Sequence, residues 1–200
     1  MKRSKKRPSL TLALKALLRD IARRVPELSH VRASAVLVVA GEARRASHAT
    51  VRPQRFPGTH TRFARDGKRE KPRVRVRGKE ILYVVTLRPL WFRGCTPEER
   101  VGSLIHELYH CSTRFDGTLH AGRRHARMGP RFAKRLRPLV RRYLKDAPEA
   151  LLAPLAHRGL VKVPAWLEKP PSSVRPGARA RRLYTEEQLF TALVRMTPPR

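Results

Sequence analysis

The chain has 200 residues with 40% hydrophobic content and 17 prolines, which allows one core of ordinary size plus some linker or tail. Lysine and arginine number 46 against 15 acidic residues, a formal charge of +31, which solubility alone does not require and which makes a polyanion the natural partner. No stretch approaches a membrane span, and there is no zinc-finger spacing, RNP-like aromatic strand or glycine-rich phosphate loop. Nucleic-acid binding, if present, is therefore expected to tolerate any base sequence.

Basic residues crowd residues 2–7, then 62–79, then 123–145, the last stretch holding ten positive side chains before Asp146. The start resembles the charged region of a signal peptide, but Lys15 and Arg19-Asp20 interrupt the apolar run that follows. Leu10, Leu14, Leu17, Ile21 and Val25 recur at helical spacing instead, with Ser9 available as a cap and Pro26 ending the run. Residues 35–40 (AVLVVA) form an apolar run of strand type ended by Gly41.

Residues 43–79 read as a long basic loop, with an edge hairpin where Val74 and Val76 alternate with arginines. Its basic side chains, Arg62, Arg65, Lys68, Arg69, Lys71, Arg73, Arg75, Arg77 and Lys79, are candidates for contact with a phosphate backbone, as are Arg123, Arg124, Arg127 and Arg131. Solvated charge is the plain alternative for all of them.

Residues 80–88 (EILYVVTLR) predict a second strand, closed by Pro89. Thr96-Pro97-Glu98-Glu99 is a helix start with cap, first-turn proline and capping box, and predicts a helix over 97–112. Cys95 and Cys111 at its two ends would stand about 21 Å apart, so they are expected to be free thiols. That usage fits a reducing, cytoplasmic compartment.

A further helix is expected over 129–145, with Phe132, Leu136, Leu139, Val140 and Tyr143 as its apolar face and a kink or break at Pro138. Beyond Pro148 the prolines predict a linker, and Thr185-Glu186-Glu187-Gln188 leading into Leu189, Phe190, Leu193 and Val194 predicts one short terminal helix. The expected organisation is a catalytic domain over 1–146 with 147–200 as linker and tail.

The chemistry is carried by His106-Glu107-Leu108-Tyr109-His110. Two imidazoles four residues apart on a helix project from one side and can converge on an ion. Val101, Ile105 and Leu108 form a stripe on the opposite side, so the helix can bury one face and present metal on the other. Gly102 and Ser103, one turn earlier, leave room for substrate.

Glu107 can act as general base on water that a zinc ion (Zn2+) makes acidic. About 0.02 matches to this pattern are expected by chance in a chain of this composition. A catalytic zinc needs a third ligand, and Asp116, His120 and His125 are the candidates. Asp116 lies where the metzincin pattern has its last histidine, but Thr113 replaces the turn glycine of that pattern. His125 has the advantage of opening the next helix.

Tyr109 can polarise an oxyanion or simply pack, Cys111 reads as a small buried residue, and His30, His48, His60 and His157 read as solvated side chains. Residues 80–132, with EILYVVTL, TPEERVGSLIHELYHC and RFDGTLHAGRRH, resemble the phage metallopeptidase family, a group of short zincin-like proteins. More distantly the order of strand, motif helix, late histidine and helix is similar to SprT-like and Spartan-type proteases, which cleave proteins crosslinked to DNA. Those place the third histidine directly before a Gly-x-x-Phe helix start, whereas here Met128 precedes Gly129-Pro130-Arg131-Phe132.

The expected fold is an α+β minimal zincin: a small sheet on the motif helix, with N- and C-terminal helices. The expected activity is zinc-dependent hydrolysis of a protein or peptide near nucleic acid. The rival is a non-catalytic nucleic-acid-binding protein with structural zinc. Oligomeric state is open.

Overall fold

In a computed structural model the chain is described over residues 7–42 and 47–198. The basic residues at 2–6 and positions 43–46 of the expected loop lie outside that range. The protein is α+β, with helices α1 (Leu10–Arg24), α2 (Pro89–Phe92), α3 (Pro97–Tyr109), α4 (His125–Met128), α5 (Pro130–Asp146) and α6 (Glu149–Ala156). Its strands are β1 (Val36–Ala40), β2 (Ala49–Pro53), β3 (Arg73–Val76), β4 (Lys79–Glu80), β5 (Tyr83–Leu87), β6 (Gly159–Trp166), β7 (Leu183–Tyr184) and β8 (Leu189–Met196).

The main sheet runs β2-β5-β1-β6-β8, and a smaller one runs β4-β3-β7. β1 pairs in parallel with β5 from Val36↔Tyr83 to Ala40↔Leu87 and meets β6 in parallel at Ala40↔Ala165. β2 and β8 close the two edges antiparallel.

Every residue of β1 is buried, as an apolar run without alternation requires when both faces of a sheet are covered. Successive side chains take opposite faces. Val36 and Val38 join Tyr83, Val85 and Leu87 in the core shared with α1, α3, α5 and α6. Leu37, Val39 and Val84 pack instead on Val74, Ile81 and Tyr184, which belong to the small sheet and the link into β5.

α1 buries Leu10, Leu14, Leu17, Leu18 and Ile21 as the spacing predicts, although the Ser9 side chain makes no capping bond. α3 starts on the anticipated capping box: the Glu99 N–H donates to Thr96 Oγ1 at 3.1 Å and the Thr96 N–H to Glu99 Oε2 at 2.7 Å. It ends at Tyr109, three residues short of the expected end. Cys95 and Cys111 are free and buried.

Three expectations need correction. The basic loop holds β2, an edge strand that pairs with β5 from Ala49↔Leu87 to Pro53↔Tyr83. Second, the linker contributes α6 and the interior strand β6. Third, the terminal helix is one helical turn (Glu186–Gln188) followed by β8. The capping box is real, with Thr185 and Gln188 bonding each other's backbone, but pairing with β6 from Gly159↔Met196 to Trp166↔Leu189 takes the next eight residues. Tertiary pairing overrides a local helical signal of this length. No helix among the described residues is long and apolar enough to cross a membrane.

Candidate metal centre and cleft

α3 buries Val101, Leu104, Ile105 and Leu108 against the sheet, which leaves His106 and His110 on its outer side. The chain then reverses through a tight turn. Gly117 takes φ 87°, a conformation glycine adopts at no steric cost. Asp116 Oδ1 accepts from the Thr118 N–H at 3.0 Å and from Thr118 Oγ1 at 2.8 Å. The Tyr83 hydroxyl accepts from the Gly117 N–H at 3.1 Å and donates to the Thr118 carbonyl at 2.7 Å.

The returning segment is tied back to the motif helix where the His120 N–H donates to the His110 carbonyl at 2.9 Å. It delivers His125 at the start of α4. Gly129, at φ 48°, turns α4 into α5.

The three imidazoles meet. His125 Nε2 lies 3.0 Å from His106 Nε2 and 3.2 Å from His110 Nε2, and the group has the makings of a metal site. Three nitrogens on a tetrahedral zinc at about 2.0–2.1 Å stand roughly 3.3–3.4 Å from one another, so the spacing fits such an ion. The protonation pattern fits too. His110 Nδ1 donates to the Arg123 carbonyl at 2.6 Å, which leaves its Nε2 as a bare lone pair facing the others.

Burial, and then the neighbouring His110 and His125, push the His106 imidazole down to about 4. His110 is lowered by burial as well. Both rings are therefore neutral near pH 7, the form that ligates metal.

Phe132, buried at the start of α5, lies beneath all three rings with centroids 4.8 Å from His106, 4.8 Å from His110 and 4.3 Å from His125. It thereby fixes their orientation. The other two candidate ligands are engaged elsewhere. Asp116 builds the turn and bonds His60 Nδ1 at 2.7 Å, and His120 Nδ1 accepts from the Gly122 N–H at 3.0 Å.

Glu107 lines the same cleft and is only 7% exposed. Burial pushes its carboxyl up to about 7, against the opposing pull of a hydrogen bond from the Val51 backbone and the charge of Arg88. The cleft encloses about 800 Å³, with Ala49, Thr50 and Val51 of β2, Arg124 and Leu119 among its other walls.

Ser103 and His48 line it as well. His48, expected to be solvated, holds Ser103 Oγ at 3.2 Å through Nδ1. Ser103 Oγ donates its own hydrogen to the Glu99 carbonyl at 2.8 Å, so His48 Nδ1 must be the donor and its Nε2 is the remaining ring nitrogen. Sequence reasoning missed His48 because it reaches the cleft just ahead of β2, far from the motif in the chain.

Gly102 does not open the cleft. It faces α5 instead, where a Cβ would make ordinary van der Waals contact with Val140 Cγ1 at 3.7 Å. Tyr109 packs on Phe132 at 5.6 Å beneath the Arg123 guanidinium at 4.2 Å, and Cys111 is fully buried.

A family model described as "Putative phage metallopeptidase" matches residues 10–143. No curated protein and no solved structure gives a significant match.

Proposed function

Because the chain belongs to the phage metallopeptidase family, we propose that its cleft is a zinc-dependent peptidase site, with His106, His110 and His125 as ligands and Glu107 as general base. The observation that supports this most is the meeting of the three Nε2 atoms at 3.0 and 3.2 Å beside a buried carboxylate. Zinc, when bound, supplies Lewis acidity that makes water acidic near neutrality and polarises a peptide carbonyl.

Glu107 takes the proton of the attacking water as the new C–O bond forms. It passes that proton to the amine as the C–N bond breaks. The Val51 N–H holds the carboxylate in place for both transfers. His48 faces the same space with Nε2 uncommitted, an acceptor placed to take a hydrogen bond from a peptide N–H of bound substrate.

Three imidazoles with an open cleft favour catalysis over a structural role, since structural zinc sites are closed by four protein ligands. The test is Glu107→Gln beside His125→Ala. The first is expected to keep one metal per chain and the native fold while losing cleavage of an unfolded protein by at least 10²-fold, the scale of a general base. The second is expected to lose the metal. Equal cleavage by Glu107→Gln and wild type refutes the assignment, and a fully metallated wild type that cleaves nothing favours a non-catalytic, nucleic-acid-binding protein.

A further inference from the structure

The two basic stretches that lie within the described residues, 62–79 and 123–145, are not equivalent once folded. In the 62–79 stretch, Arg62 donates to Glu70 at 2.8 Å and Arg69 lies 4.0 Å from Asp66. Lys71 is buried and gives its amine to the Pro53 carbonyl at 2.7 Å. Arg62 and Lys71 thus serve the fold, while the exposed Arg65, Lys68, Arg73, Arg75, Arg77 and Lys79 are dispersed over loops and the short strands β3 and β4 rather than aligned on one face.

α5 differs. Arg131, Lys134, Arg135, Arg137, Arg141 and Lys145 are all exposed, and among the described residues none of these six has an acidic partner within salt-bridge distance. Arg142 alone on this helix pairs with an acid, Glu27. At 100° per residue the basic positions fall within an arc of about 160°, along a helix about 25 Å long. Phe132, Leu139 and Tyr143 face the core instead.

We propose that this outer face of α5 is a docking surface for duplex DNA, bound through its phosphates and without regard to base sequence. Charge complementarity calls for a polyanion, since such a ridge gains affinity by releasing condensed counterions. Shape selects the kind. A helix about 10–12 Å across fits the major groove of B-form DNA, about 12 Å wide, but not the deep, narrow major groove of duplex RNA. Single strands are held on stacking aromatics, and both aromatics of α5, Phe132 and Tyr143, are buried at 2% and 1% exposure.

The ridge also starts at the cleft. Phe132 touches the three imidazoles, and Arg124, just before α4, lines the cleft itself. A duplex on α5 therefore lies beside the place where peptide would be cut. That the substrates are proteins carried on DNA rests on the peptidase reading; the docking surface does not.

The experiment titrates full-length Glu107→Gln protein onto a fluorescent 24-bp duplex by anisotropy at several KCl concentrations, with and without Lys134→Ala, Arg137→Ala and Arg141→Ala together. With about 0.9 counterions released per phosphate contact, the triple variant should flatten the slope of log K against log salt by about 2–3. Each single substitution should account for about a third of that. The control triple Arg65→Ala, Lys68→Ala and Arg73→Ala, at exposed positions of the 62–79 stretch, should keep the slope.

An unchanged slope in the α5 triple variant, a slope lost in the control, or equal affinity for a single strand or an RNA duplex each overturns the proposal. If DNA binds as stated while wild type cleaves no protein, the peptidase reading fails and the docking surface stands.

Discussion

The imidazoles at positions 48 and 110 show how a single hydrogen bond decides what a histidine can do. His110 spends its Nδ1 proton on the Arg123 carbonyl and His48 spends its own on Ser103, so each ring offers Nε2 to the cleft. His48→Ala, which removes one hydrogen-bond acceptor for substrate, is expected to raise KM by about 3–10-fold, with kcat changed little and metal content unchanged. Ser103→Ala, which only frees the ring to turn, should cost less. A His48→Ala variant with wild-type KM removes the role. The motif pair could be read from the sequence because helical spacing alone aims it. Choosing among Asp116, His120 and His125 needed the turn at Gly117, whose hydrogen bonds to Tyr83 join residues far apart in the chain.

Two side chains show what holds the helices that carry the site. Asp20 on α1 is buried and accepts from Arg23, from Arg24 and, at 3.0 Å, from the Tyr143 hydroxyl of α5. Burial alone would raise its carboxyl, but these donors outweigh it and hold the group below the usual carboxylate range.

A depressed carboxyl contributes stability that is full above its unfolded value, about 3.9, and is lost as pH falls through the lower folded value. Asp20→Asn should therefore cost about 1–3 kcal/mol at pH 7, with the gap to wild type closing below pH 4 in urea titrations. Arg100, 2% exposed, donates to the Phe92, Arg93 and Leu155 carbonyls and so joins α3 to α2 and α6. Arg100→Met should cost about 2–4 kcal/mol, because it strands buried acceptors.

Helices α1, α3 and α5 were readable because each carries its own periodicity and punctuation. β2 was not, since Arg52 and Pro53 suit an edge and give no alternating pattern. In β8, Leu189, Phe190, Leu193 and Val194 mimic a helical face although β6 holds them extended.

For the whole molecule, the segment after Pro148 is part of the sheet that supports the cleft rather than an appendage. β6 covers the edge of β1, and Val161 and Met196 are buried in the main core. Truncation after Asp146 is expected to give a chain without cooperative thermal unfolding. A soluble 1–146 fragment that melts cooperatively would restore the shorter domain.

The position of the third imidazole has one more effect. His110 and His125 sit at opposite ends of an irregular excursion of fourteen residues, 111–124, so a cation shared between them would act as a removable staple. A disulfide closing a loop of that size is worth about 3 kcal/mol, and a reversible ion can approach this only while it is present. Chelation should therefore lower the melting temperature and open the Arg114–Arg123 stretch to trypsin before the rest of the chain yields, which would let metal supply set how long the protein survives.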